Sequence, residues 1–137
     1  MWIIYALLSA FFAALTAIFA KAGVQNINSN LATAIRTVVV LILIWSIVLF
    51  RGEAKDLGSI SKYSLTFLIL SGLATGFSWI FYFKAIQTGN VSQVALIDKL
   101  SVVLTLILAA VFLGEPFSLK VVAAMVLIVS GVIVLIW

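Results

Sequence analysis

Three charged residues lie inside long apolar segments of this 137-residue chain: Arg36, Asp98 and Lys99. A carboxylate in such surroundings can carry a proton or bind a cation, and an arginine or lysine can hold an anion. Charges at membrane depth are costly, and they usually face a bundle interior or a water-filled cavity. The pattern therefore predicts that these three residues belong to a substrate or ion pathway.

Arg36 and Asp98 are expected at the same depth. Each lies about six residues after the start of its apolar segment, and both segments start at the same face of the membrane. At the rise of an α-helix, each lies roughly 9 Å below that end. We expect a charge cluster centred on Arg36–Asp98 or on Asp98–Lys99. A salt bridge that only fastens two helices explains these residues equally well, and both interpretations stay open.

Polar side chains at helical spacing extend this set. Asp98, Ser101 and Thr105 share one stripe at i, i+3 and i+7. A stripe on another segment carries hydroxyls and aromatic rings, and such rings can stack on an organic solute or a cation. The candidate substrate- or ion-binding residues are Asp98, Lys99, Arg36, Ser101, Thr105, Thr75, Ser78, Trp79 and Tyr82.

Helix packing is the alternative for the small and aromatic members of these stripes. Small residues let helices approach closely, as Gly72-x-x-x-Gly76 would, and a stripe through Thr16 has the same character. Trp79 and Tyr82 lie near a segment end, where an interfacial belt of aromatic residues needs no ligand to explain it.

Residue types that are absent exclude several kinds of chemistry. The chain has no cysteine and no histidine, so thiolate nucleophiles, histidine bases and Cys/His zinc sites are impossible. Its only carboxylates are Glu53, Asp56, Asp98 and Glu115. We expect no enzymatic activity, no cofactor and no metal site.

The amino-acid composition indicates that these residues lie in a membrane. Hydrophobic residues make up 66% of the chain and charged residues 9%, whereas soluble domains have about 45–50% and about 25%. Five segments reach the length of about 20 residues that a spanning helix needs. They are residues 2–20, 31–50, 63–86, 92–113 and 119–137. The sequence therefore predicts an all-α, multi-pass membrane protein whose five transmembrane helices form a single domain, 1–137.

Capping residues bound several of these segments. Asn28, Ser29 or Asn30 can cap the second span, Ser92 the fourth and Ser118 the fifth.

The distribution of basic residues leaves the orientation of the chain nearly undecided. Side one denotes the membrane face that carries the N-terminus and the 51–62 loop. Side two denotes the opposite face. Side one carries Arg51, Lys55, Lys62 and Lys120, and side two carries Lys21, Arg36, Lys84 and Lys99. Four against four provides no positive-inside bias, so we expect insertion in both orientations. The alternative is that the basic 51–62 loop alone holds that side in the cytoplasm.

The predicted number of spans is odd, so the two ends of the chain lie on opposite sides of the membrane. Many transporters combine two repeats of inverted topology around a midplane site. Two copies of a five-helix unit in opposite orientations would form a ten-helix transporter. The expected functional unit is therefore a dimer, either an antiparallel homodimer or a heterodimer with a paralogue, in the lipid bilayer.

Several motifs resemble one known family. AIQTG leads into a polar helix start, LGEP ends the next span and SGV lies in the last one, while AIFAKAGV and AIRT occur in the first two spans. Together they resemble the EamA repeat of the drug/metabolite transporter superfamily, over essentially the whole chain. The small single-repeat bacterial and archaeal branch is the most similar in length.

The resemblance implies a secondary transporter, with export the expected direction, that moves small metabolites or drugs across the cytoplasmic membrane by alternating access. It also allows a subunit of a heterodimeric flippase for lipid-linked sugars, or a non-transporting accessory or scaffold protein. Apart from the resemblance, the modest net charge of +4 suggests anionic lipid headgroups and not nucleic acid as a partner. Similar small multidrug exporters couple to protons through a glutamate in the first helix, which this chain lacks, so Asp98 is the candidate here. Relatives often have a proline near Val102, and its absence suggests a straighter fourth span.

Overall fold

Helices form nearly all of the regular structure in a computed structural model that describes residues 1–137, and no strand is present. The α-helices are α1 (Trp2–Val24), α2 (Ser29–Phe50), α3 (Lys62–Thr88), α4 (Val91–Asp98), α5 (Leu100–Leu113) and α6 (Leu119–Ile136), with a 3₁₀ helix over Glu53–Ser59. Because α4 and α5 together form one span, Val91–Leu113, five segments are long and apolar enough to cross a membrane. The all-α, five-span fold is confirmed.

Side chains of polar residues determine several helix ends. Asn28 caps α2, where its side chain accepts from the backbone N–H of Asn30, and Ser118 caps α6 by accepting from Val121. At α4 the cap position is Asn90 and no side-chain bond is made, so the expected cap at Ser92 is wrong. Gly114 ends α5 with φ +69°, a left-handed conformation that glycine adopts without strain.

The fourth span is interrupted at Lys99, between α4 and α5. The N–H of Lys99 donates to Leu96, and the N–H of Val102 donates to the carbonyl of Lys99. Both bonds reach back three residues instead of four, which is the tighter 3₁₀ pattern. The fourth span is therefore not the uninterrupted helix that the missing proline suggested.

The chain divides into two compact units, residues 1–88 and 89–137. In the second unit, α4 and α5 both pack on α6, where Val132 is buried. In the first unit, α1, α2 and α3 pack on one another, and the 3₁₀ helix packs on α2. The single domain over 1–137 stays a prediction.

The core of the first unit lies at its side-two end. Its buried apolar residues are Ala17, Ala20, Val24, Ala32, Phe83 and Ile86. They occupy the end of α1, the start of α2 and the end of α3, and half of them are alanines, which allow close helix contact. Residues 1–14 are exposed throughout, so the side-one half of α1 buries nothing within the chain.

The C-terminal ends of α1 and α3 cap each other. Lys21 of α1 donates from Nζ to the carbonyl of Ile86 at 2.8 Å, and Gln87 of α3 donates from Nε2 to the carbonyls of Val24 at 3.0 Å and Ile27 at 2.8 Å. The last four carbonyls of a helix lack partners within it. Both Ile86 and Val24 belong to such last turns, so this exchange satisfies groups that would be costly to leave unbonded near a bilayer.

We expect Gln87→Leu to destabilise the protein by about 1–3 kcal/mol, because it removes a part-buried hydrogen bond to the carbonyl of Val24 and an exposed one to that of Ile27. The free energy of unfolding in detergent, monitored by circular dichroism, measures this. Gln25→Ala is the matched control, since Gln25 is an exposed glutamine just beyond α1. Equal stability of the two variants would contradict a capping role for Gln87.

Candidate functional site

Arg36 of α2 lies against two aromatic rings of α3. Its guanidinium carbon is 4.3 Å from the ring centroid of Trp79 and 5.3 Å from that of Phe83. The two aromatic residues are four positions apart, so they present adjacent rings on one face of α3. A cation over such rings gains about 0.5–2 kcal/mol, more as water is excluded. Two of the predicted residues, Arg36 and Trp79, are thus brought together by α2 and α3.

A cavity of about 370 Å³ opens beside this stack, between the three helices of the first unit. Its lining includes Thr16, Ala20 and Gly23 from α1, Ala32 and Arg36 from α2, and Phe83 from α3. The lining is mostly apolar, and Arg36 is its single charged residue. Small-molecule sites have this size and this combination of an apolar wall with few polar groups.

The cavity belongs to the side-two end of the unit. Its lining comes from the last third of α1, the first turns of α2 and the last turns of α3. Arg36 is seven residues into α2, which places its Cα about 10 Å along the helix axis. The cavity is therefore close to one membrane face.

Tyr82 lies one position before Phe83 on α3 and is half-buried. Ser78, one position before Trp79, is exposed. Neither lines the cavity.

Two of the predicted hydroxyls bond to their own helix. Thr75 donates to the carbonyl of Ser71 and Thr105 to that of Ser101, both four residues back. Threonines commonly make this bond inside helices, and it satisfies the hydroxyl proton locally. Each oxygen keeps lone pairs for a ligand, so these residues could still accept hydrogen bonds but not donate them.

Asp98 and Lys99 lie at the interruption of the fourth span, and both are exposed, as is Ser101. Interrupted helices place backbone groups and ionisable side chains beside ion sites in many transporters. Asp98 belongs to the second unit and Arg36 to the first. Their pairing stays a prediction.

Phe83 is the part of this site that sequence reasoning missed. The signal for it was the spacing of Trp79, Phe83 and Gln87, which recur every four residues on one face of α3. One face thus carries the two rings under Arg36 and the amide that caps α1. The residue types on α3 alone could not show that Arg36 of α2 would lie against that face.

Five apolar helices and a ligand-sized cavity define a multi-pass membrane protein that can bind a small molecule. The chain belongs to the EamA-like transporter family, which matches residues 1–137. It is 48% identical over 134 residues to a protein of a Sinorhizobium species described as an uncharacterized transporter in the cobO 3′ region, covering 98% of this chain and 95% of that relative. No solved structure matches. The chain is therefore a membrane transporter of the cell membrane, and these comparisons point away from an enzyme.

Proposed function

We propose that two copies of this chain, in opposite orientations, form a secondary transporter that exports small metabolites or drugs by alternating access. The observation that carries the proposal is the position of the cavity at the side-two end of a five-span chain. One such cavity serves one membrane face. An inverted second copy supplies the same cavity at the other face, as in transporters built from inverted repeats.

Chain length and charge support the antiparallel arrangement. The Sinorhizobium relative is matched over nearly its whole length, so it has the size of a single five-span unit too. Four basic residues on each side provide no preferred orientation. Both features suit a chain that obtains its second repeat from another copy.

Exposed surface on α3 supports a partner helix. Gly72 and Gly76 form a small-xxx-small motif, yet nothing in the chain lies within 4 Å of a Cβ placed at either position. Such motifs let a second helix approach closely. The motif is available to a helix from the other copy.

Asp98 is proposed as the coupling residue. It is the only carboxylate within the five spans, and it is exposed on the chain surface at a helix interruption. An ionisable group at that depth needs a cavity or a partner that the second copy would help to form. Reversible protonation there would couple proton entry to substrate exit.

Purified protein reconstituted alone into liposomes tests the proposal. The lumen is made acidic and loaded with the pH dye pyranine, and ethidium, single amino acids or an organic anion such as benzenesulfonate are added outside. We expect at least one compound to dissipate the pH gradient faster than in protein-free liposomes, because each entering substrate releases lumenal protons.

A parallel sample contains an NBD-labelled phospholipid whose outer-leaflet fluorescence is quenched by dithionite. Movement of the labelled lipid without any solute-dependent proton release would favour a lipid flippase instead. Neither signal would favour an accessory or scaffold role.

A further inference from the structure

We infer that the cavity between α1, α2 and α3 binds a small amphiphilic organic anion, with its carboxylate or phosphate on Arg36 and its apolar body against the walls from α1 and Phe83. This inference rests on the proposed function, because it names the substrate class of that transporter. Arg36 is the one charged group that lines the cavity.

Arg36 has no carboxylate partner in its own unit. The two carboxylates of residues 1–88 are Glu53 and Asp56, in the loop at the opposite end of α2. Glu53 pairs with Arg51 at 2.9 Å. Guanidinium is always charged and has five N–H donors along its edges. No carboxylate of this unit therefore neutralises its charge.

The N–H donors of Arg36 remain for a ligand. Its contacts with Trp79 and Phe83, at 4.3 and 5.3 Å from the ring centroids, are cation–π contacts that use none of these donors in hydrogen bonds to a side-chain oxygen. No buried side-chain nitrogen or oxygen of the chain lacks a hydrogen-bond partner, so the N–H groups of Arg36 that make no bond are accessible ones. A guanidinium that lines a cavity and has accessible N–H donors can bind a carboxylate or phosphate bidentately.

The remaining walls define the rest of the ligand. Ala20, Gly23, Ala32 and Phe83 offer apolar surface, and Thr16 adds a hydroxyl. No acidic residue lines the cavity, so it offers no countercharge to an ammonium group. A hydrophobic acid satisfies both the cation and the walls, whereas a cationic drug would place like charges together.

Binding of matched probes to full-length protein tests this inference. The protein is placed in phosphatidylcholine nanodiscs and titrated calorimetrically with 3-phenylpropanoate, its amide 3-phenylpropanamide, and 3-phenylpropylamine. We expect the acid to bind about tenfold or more tightly than the amide, because hydrogen bonds to a charged group are worth that ratio or more. The amine should bind more weakly than the amide.

Three variants separate the contributions of charge and cavity. Arg36→Gln should bring the acid down to the affinity of the amide, and Lys84→Gln, which removes an exposed cation of α3 outside the cavity, should leave their ratio unchanged. Gly23→Leu should weaken both probes alike, since its side chain fills the cavity. That position has open space around a Cβ, and leucine favours a helix, so this variant is expected to fold.

Equal affinity of acid and amide for the unaltered protein would overturn the inference, as would tighter binding of the amine. Repeating the titration with phosphatidylglycerol in the nanodisc distinguishes the source of the anion. Competition by that lipid would assign the site to a lipid headgroup instead of a soluble acid. The transport assay is read separately: transport of ethidium without acid binding refutes only the inference, and acid binding without any transport refutes the proposed function.

Discussion

Two variants that force opposite orientations are each expected to lose transport alone and to regain it when they are co-expressed. Leu57→Lys with Gly58→Lys adds two charges to side one, and Gln25→Lys with Asn26→Lys adds two to side two. The four positions are exposed, so the changes should not disturb the fold. Six basic residues against four provide the excess that positions a chain with its basic side in the cytoplasm.

The physical reason for the loss is the position of the cavity. If every copy inserts the same way, all cavities lie near the same membrane face, and no antiparallel pair can form. Export measured in cells should then fall to the level of cells without the protein. Mixed expression restores both orientations, so activity should return without any further change in sequence.

Orientation itself is measured by labelling. The chain has no cysteine, so Ser59→Cys introduces one exposed thiol in the 51–62 loop. About half of the otherwise unaltered molecules should react with an impermeant maleimide from outside, and nearly all or none in the two charge variants. Full activity of either charge variant alone, with its single orientation verified in this way, would rule out the antiparallel homodimer.

Asp98→Asn is expected to abolish proton-driven transport and to leave stability nearly unchanged. Asparagine keeps the size of the side chain and cannot release a proton. Asp98 is exposed, and within residues 89–137 it has no ion pair, so we expect a change of less than about 0.5 kcal/mol in the free energy of unfolding. Pyranine-loaded proteoliposomes measure the first quantity and denaturation in detergent the second.

Asp56→Asn is the matched control, because it makes the same substitution at an exposed carboxylate in the 3₁₀ helix outside the spans. It should retain both transport and stability. A different pattern would refute the coupling role of Asp98: if Asp98→Asn unfolds easily but still transports, this carboxylate serves only to fasten helices.

Interactions that are local in sequence were predictable here. Hydropathy over about 20 residues predicts a spanning helix, because a bilayer requires every backbone group to be bonded within the segment. Caps were predictable for a similar reason, since Asn28 and Ser118 bond to backbone groups two or three residues away. Ser92 was not such a case, because Asn90 occupies the cap position of α4 and makes no side-chain bond.

Contacts between helices were much less predictable. In a soluble protein one apolar stripe indicates which face of a helix is buried. Here the spans are apolar on nearly all sides, so the pattern does not show which face of α2 meets which face of α3. The stack of Arg36 on Phe83 joins residues far apart in the sequence and left no trace in hydropathy.

The sequence by itself therefore determined the class of protein, the number of spans and the residues that carry charge into the membrane, because each depends on composition or on neighbours along the chain. Only the tertiary structure decided that Arg36 rests on aromatic rings beside a cavity, and that Lys21 and Gln87 exchange caps between α1 and α3. These contacts depend on how apolar helices rotate against one another. Close packing and a few polar bonds decide that rotation, and hydrophobicity does not.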